Sequence, residues 1–146
     1  PGLTAAPPQP SPETLFNNAK SDLDANRFEI ARTGFQKFLD LYPNNPNAAA
    51  AQYNIGNSYY QQSNLDDAVK AYDAAIEQYQ ADDATTPNAY LMKGMALKKQ
   101  HKNSAAKLSF EGAIKAAPKS DAAAQAKQQL TSMGYSTKGA SKKPAR

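Results

Sequence analysis

Residues 52–77, QYNIGNSYYQQSNLDDAVKAYDAAIE, decide the fold. Apolar residues return every three or four positions, which is the period of a helix burying one face. The first half carries Tyr53, Ile55, Gly56, Tyr59 and Tyr60. Ser63-Asn64 is a turn, and the second half carries Leu65, Ala68, Val69, Tyr72, Ala75 and Ile76. The stretch reads as two amphipathic helices folded back on each other. Small residues (Gly56, Ala68, Ala75) fall where the backbones must approach, and aromatics (Tyr59, Tyr72) fall where a gap must be filled.

One such hairpin cannot bury its own apolar face, so copies should flank it. They do. Gly56, Ala68, Tyr72 and Ala75 recur as Gly94, Ala106, Phe110 and Ala113, a shift of 38. They recur upstream as Ala19, Ala31, Phe35 and Phe38, a shift of 37. Pro43 and Pro118 stop the second helix of two copies, whereas Gln80 holds that slot in the middle copy and the stop moves to Thr85-Thr86-Pro87. A fixed period of this length is the mark of a solenoid rather than of three unrelated hairpins in an Ala-rich bundle. The small–small–aromatic–small order resembles the tetratricopeptide repeat. The expected fold is all-α: a right-handed solenoid of three helix-turn-helix repeats, near 11–43, 46–80 and 87–118, closed by a capping helix over 120–133.

The 146 residues suffice for one continuous core. Cysteine is absent, which excludes disulfides, zinc–thiolate sites and thiol nucleophiles. No apolar run is long enough to span a membrane. Charge is divided unevenly: residues 1–86 hold 5 Lys/Arg and 11 Asp/Glu, and residues 87–146 hold 12 and 2. That asymmetry reads either as two solvated halves or as a basic surface for an anionic partner.

Residues 1–10, PGLTAAPPQP, hold four prolines and no charged side chain, and read as an extended linker. Ser11 should cap the first helix with Pro12 in its first turn. Asn45 and Pro46 should open the third helix in the same way, and Thr86-Pro87 the fifth. Asp82 and Asp83 lack the spacing of a calcium loop and read as solvated. Gly112, inside a helix, should mark a close approach, since glycine there costs about 1 kcal/mol relative to alanine. Ser120 should cap the last helix, with Ala123, Ala126, Leu130 and Met133 on one side and Gly134 ending it. Residues 135–146, with Lys138, Lys142, Lys143 and Arg146, read as a disordered basic tail.

No catalytic constellation is legible. His101 is the only histidine and falls in an interhelical turn, so no second imidazole exists for a zinc site. There is no Gly-rich phosphate loop. Asp22/Asp24 and Asp66/Asp67 lie near helix ends, where they complement the helix dipole or face water. Lys98, Lys99 and Lys102 cluster, but without the interleaved aromatics that stack on bases. Neither an enzyme, a cofactor nor nucleic acid is expected.

A narrower resemblance is carried by residues 35–60, from Phe35 through LYPNNPN to Asn57-Ser58-Tyr59-Tyr60. This run is similar to the C-terminal domain of the YbgF (CpoB) family of periplasmic cell-division coordinators of the Tol-Pal system. Repeats slightly longer than usual, ending Tyr-Pro-Asn-x-Pro and following a low-complexity linker, are that family's pattern. Two departures stand out: Asn54 replaces a large aromatic, and the middle Tyr-Pro stop is lost. The resemblance implies a periplasmic, non-catalytic scaffold that contacts TolA and a penicillin-binding synthase, linking outer-membrane constriction to septal peptidoglycan synthesis. It also implies a precursor signal peptide and an N-terminal trimeric coiled coil outside this chain, leaving this segment monomeric or weakly associated. Outer-membrane assembly lipoproteins of the BamD type and pilus pilotins carry similar repeats.

In such repeats the first helix of each pair lines the concave face. Phe16, Lys20 and Asp24 should therefore face inward, followed by Tyr53, Asn57, Tyr60 and Gln61, and then Leu91, Met95, Lys98 and Lys99. Tyr53 and Tyr60 would offer apolar faces with polar tips. Asn57 would offer a donor and an acceptor to a bound backbone, and Lys98 and Lys99 would favour an acidic segment. Tyr59 should pack on the opposite side.

Overall fold

The computed structural model describes residue 2, residues 4–79, residue 82 and residues 84–137. Among these residues the chain forms seven α-helices and no strand. They are α1 (Pro12–Asp24), α2 (Phe28–Leu41), α3 (Ala48–Gln61), α4 (Leu65–Gln78), α5 (Thr86–Lys99), α6 (Asn103–Ala116) and α7 (Asp121–Ser132). Each helix packs on its neighbour in the chain. The odd-numbered helices also touch one another, α1 on α3, α3 on α5 and α5 on α7, while the even-numbered helices do not. Rows that converge on one side and splay on the other make a curved stack, with α1, α3, α5 and α7 along its inner face.

In the second and third pairs the spacing is set by a ring against a backbone. Phe35, Tyr72 and Phe110 occupy one slot of the repeat and are wholly buried. A Cβ on Gly56 would sit 2.5 Å from the Tyr72 ring, and a Cβ on Gly94 2.6 Å from the Phe110 ring. In the first repeat Ala19 stands in the glycine slot, and the second helix supplies the small residue: a Cβ on Gly34 would lie 2.9 Å from that of Ala19. Gly112 allows the same approach between α5 and α6, where the Tyr90 ring would meet its Cβ at 2.6 Å. The oversized Phe38 of the first repeat is absorbed by edge-on packing against Phe16, 5.6 Å between centroids.

The first helix of every pair ends alike. Asn26, Ser63 and His101 adopt left-handed φ of 61°, 60° and 60°. Their amides donate to the carbonyls of Leu23, Tyr60 and Lys98. The following amides, of Arg27, Asn64 and Lys102, donate to Asp22, Tyr59 and Leu97. This paired 5→2 and 6→1 pattern is a Schellman motif, which satisfies carbonyls the helix leaves unpaired. Helix α7 ends the same way: Gly134 donates to Thr131 and Tyr135 to Leu130, with φ of 88° at Gly134. Only there is the left-handed position filled by glycine.

Helix starts depart from the sequence reading at two places. Ser11 and Ser120 accept from the amides of Thr14 and Ala123. Asn45, however, turns its side chain onto the Asn47 amide at 2.9 Å, and α3 begins two residues later than expected, at Ala48. The short amide side chain prefers this local turn, which delays the helix. Before α5, Asp82 takes the capping role: its Oδ1 accepts from the Ala84 and Thr85 amides at 3.1 and 2.6 Å. Thr86 is itself helical, and its hydroxyl donates to the Tyr79 carbonyl. Gln80 and Asp83 lie outside the described residues.

At the chain's start, residues 4–10 are not helical, and Tyr42 donates to the Pro10 carbonyl at 2.7 Å. At its end, Tyr135 does not belong to a free tail. It packs on the core of the third repeat and lies 5.4 Å from the Lys107 ammonium. Lys138, Lys142, Lys143 and Arg146 lie outside the described residues.

Two substitutions test this framework. Gly56→Ala should lower the unfolding free energy by about 1–3 kcal/mol, because the buried Tyr72 ring has nowhere to move. Ser63→Gly should raise it by about 0.5–1 kcal/mol by removing the left-handed strain. Urea midpoints with unchanged slopes would read both.

Candidate functional site: the inner face of the stack

Two cross-helix contacts fix which side chains share the inner face. The Lys99 ammonium of α5 sits over the Tyr60 ring of α3, 4.5 Å from its centroid. Lys98 reaches the other way, donating to Gln129 Oε1 of α7 at 2.8 Å and to Ser132 Oγ at 3.3 Å. The face thus runs without a break from α3 across α5 to α7.

The sequence-expected residues divide along it. Tyr60 and Lys98 are half-buried, and Gln61 and Lys99 are exposed. These four can meet a ligand. Met95 is half-buried beside them while packing on the third-repeat core. Leu91 is only 5% exposed and belongs to that core rather than to the surface. Phe16 is likewise drawn into the first core, edge-on to Phe35 and Phe38. Lys20 and Asp24 neutralise each other at 3.0 Å. Tyr59 faces α2, where the Arg32 guanidinium covers its ring at 4.2 Å.

Asn57 is engaged by side chains of its own repeat. Its Oδ1 accepts from the Tyr72 hydroxyl at 2.7 Å, and its Nδ2 donates to Asn54 Oδ1 at 3.2 Å. Asn54, the departure from the resembled family's large aromatic, is buried and serves this chain of polar groups. Tyr53 leans on the Tyr72 ring, 5.8 Å between centroids. Burial pushes the Tyr72 phenol far above its ordinary 10.0, and the neighbouring Tyr53 and Tyr60 add to the rise. Burial raises Tyr53 as well, offset in part by Asn57. The middle of the inner face is therefore a polar floor that joins α3 to α4, and the accessible side chains stand at the C-terminal ends of α3 and α5.

Sequence reasoning missed Gln129 and Ser132. A signal existed: a shift of 34 carries Leu91, Met95 and Lys98 onto Gln125, Gln129 and Ser132. Treating the last helix only as a cover hid its role as a fourth inner wall. Among the described residues no group of three or more His, Asp or Glu side chains could hold a metal ion, and no helix is long and apolar enough to cross a membrane.

A helical-repeat stack with a polar, partly cationic inner face defines the class: a solenoid built to hold another chain. Sequence models of the tetratricopeptide repeat match residues 16–83 and 87–120. The chain belongs to the tetratricopeptide-repeat family. No curated protein sequence matches it. Among solved structures it is similar to the tetratricopeptide domain of Arabidopsis OM64, with TM-score 0.68 and 16% identity over 84% of this chain and 95% of that one. It is also similar to the first such domain of Spaghetti (RPAP3) bound to the HSP90 peptide SRMEEVD, with TM-score 0.67 and 17% identity over 84% and 91%. At these identities the likeness is one of fold.

The polar floor has a pH signature. Below pH 10 both tyrosines are neutral folded or unfolded, so stability is unaffected. Above it the unfolded phenols ionise first, because the folded values are raised, and stability falls as pH climbs. Tyr72→Phe should start about 1 kcal/mol less stable through loss of the Asn57 bond. It should then lose less stability between neutral and alkaline pH than the unsubstituted chain, as read by urea midpoints at both.

Proposed function

We propose that the chain is a non-enzymatic scaffold that seats an extended segment of a partner protein along α3, α5 and α7. The observation that carries this reading is the line of accessible side chains, Tyr60, Gln61, Lys99 and Lys98, on the inner face of the stack. Tyrosine contributes broad contact area at low entropic cost, and the amide and ammonium groups supply directed donors. The similar RPAP3 domain holds a peptide, which supports the same use here.

The finer reading is a periplasmic factor of the Tol-Pal type that joins outer-membrane constriction to septal peptidoglycan synthesis through TolA-like and penicillin-binding partners. Its support is the resemblance carried by residues 35–60 and the Pro-rich segment before the repeats. A BamD-like or pilus-assembly scaffold is the neighbouring alternative. An anionic-polymer binder using the basic half is the rival of another class.

Tyr60→Ala/Gln61→Ala is the informative variant, because neither side chain holds the core. In a pull-down from periplasmic extract, Tol-Pal or peptidoglycan-synthesis proteins should come down with the unsubstituted chain and be lost with the variant, while circular dichroism stays unchanged. Capture of outer-membrane assembly or pilus proteins would replace the Tol-Pal reading. Capture that survives the variant and collapses steeply with added salt would favour the polymer binder.

A further inference from the structure

The seam between α6 and α7 departs from its counterpart one repeat earlier. A shift of 38 carries Asp73, Ile76 and Glu77 of α4 onto Glu111, Ile114 and Lys115 of α6. A shift of 34 carries Lys93 and Ala96 of α5 onto Lys127 and Leu130 of α7. Between α4 and α5 the charges close on each other, with Lys93 2.5 Å from Asp73. The matching pair of Lys127 and Glu111 is not formed, and Glu111 bonds instead to Lys107 of its own helix, which stands where the repeat before has Val69. Lys115 in turn replaces the acid Glu77. The seam is left with two lysines that meet no carboxylate among the described residues. Beside them lies a groove of about 470 Å³ floored by Ile114 and Leu130. Lys127 and Leu130 each precede Gln129 or Ser132 by two residues, about 200° around the helix, so this groove faces away from the inner face.

The bland account is a solvated terminal surface, since Ala124, Gln128 and Thr131 of α7 are exposed as on a capping helix. It does not account for the apolar floor. Nor does it account for Leu108, which is two turns before Lys115 on the same face of α6 and 67% exposed. Helices α3 and α5 each pack against an even-numbered helix on both sides, whereas α7 has α6 alone. Residues 138–146, KGASKKPAR, would bring like charge to the two lysines and hold no Val, Ile, Leu, Met or aromatic residue for the floor.

We propose that this seam docks an amphipathic helix of a partner protein. Its apolar stripe lies over Ile114 and Leu130, and an Asp or Glu on its flank meets Lys127 and Lys115, taking the place that Asp73 holds between α4 and α5. A groove between two packed helices receives a third through interleaved ridges, anchored by residues at i, i+3, i+4 and i+7. The site is separate from the inner face and does not depend on a peptide binding there.

The test is selection on the full chain from a displayed library of helical peptides, with leucine fixed at i, i+3, i+4 and i+7 and the other positions random. Selected peptides should be enriched in Asp and Glu beside the leucine stripe. Lys115→Glu/Lys127→Glu, at two exposed positions, should weaken them at least tenfold with circular dichroism unchanged. Changing the peptides' acids to Lys should restore binding to that variant, and Tyr60→Ala/Gln61→Ala should leave all of it unaltered. Selected peptides that ignore the charge reversal would overturn the site. Peptides that depend on Tyr60 and Gln61 would overturn it too, while leaving the inner-face reading standing. Failure to select any helical peptide would also overturn it. If the chain then bound phosphatidylcholine–phosphatidylglycerol vesicles and lost them on Lys115→Glu/Lys127→Glu, an anionic lipid surface would replace the partner helix.

Discussion

Everything in this stack depends on a close approach inside each helix pair, which in two of the three pairs is an aromatic ring lying directly on the backbone of the facing helix. Tyr72 over Gly56 and Phe110 over Gly94 fix how close the two helices of a repeat can come. That distance sets how the next pair seats, and hence the convergence of α1, α3, α5 and α7 into an inner face. The first repeat solves the same problem with the small residue moved to the opposite helix, Gly34 against Ala19. The constraint is thus on the sum of two side chains at a contact rather than on glycine at one position. Conserving that sum preserves packing density, and packing density is what a core defends.

The second constraint is the way inner helices end. Four of them, α7 included, close with the same paired hydrogen bonds. Three place a residue with a Cβ at left-handed φ, at a cost the fold absorbs. The reward is a sharp turn that returns the chain along the stack and leaves the last residues of the inner helices, Tyr60, Gln61, Lys98 and Lys99, at one edge of the groove. Local geometry and the proposed binding edge are therefore coupled through the same turn.

The fold was legible because its signal is repetitive: the aromatic slot at Phe35, Tyr72 and Phe110 is visible at a glance once one copy is found. The groove was legible only in part. Sequence spacing identifies which residues share a face but not which of them are already engaged. Asn57 sits at an inward position, yet Tyr72 from the next helix takes its carbonyl, and a hydroxyl fifteen positions away gives no local signal. Leu91 shares the face and is consumed by the core. Gln129 and Ser132 were hidden for the opposite reason, because a helix without a partner after it looks like a cover. Helix starts at Asn45 and Thr86 were misplaced where a polar side chain, Asn45 or Asp82, reorganised the turn itself.

The central claim is that the inner face of α3, α5 and α7 is the binding surface. Amide and lysine side-chain NMR shifts during titration with a peptide selected on this chain from a random display library test it most directly. The account predicts perturbations along Tyr60, Gln61, Lys98, Lys99 and Gln129, with α2 and α4 undisturbed. Perturbations centred on Arg32 and Tyr59, on the α2 side of α3, would contradict it.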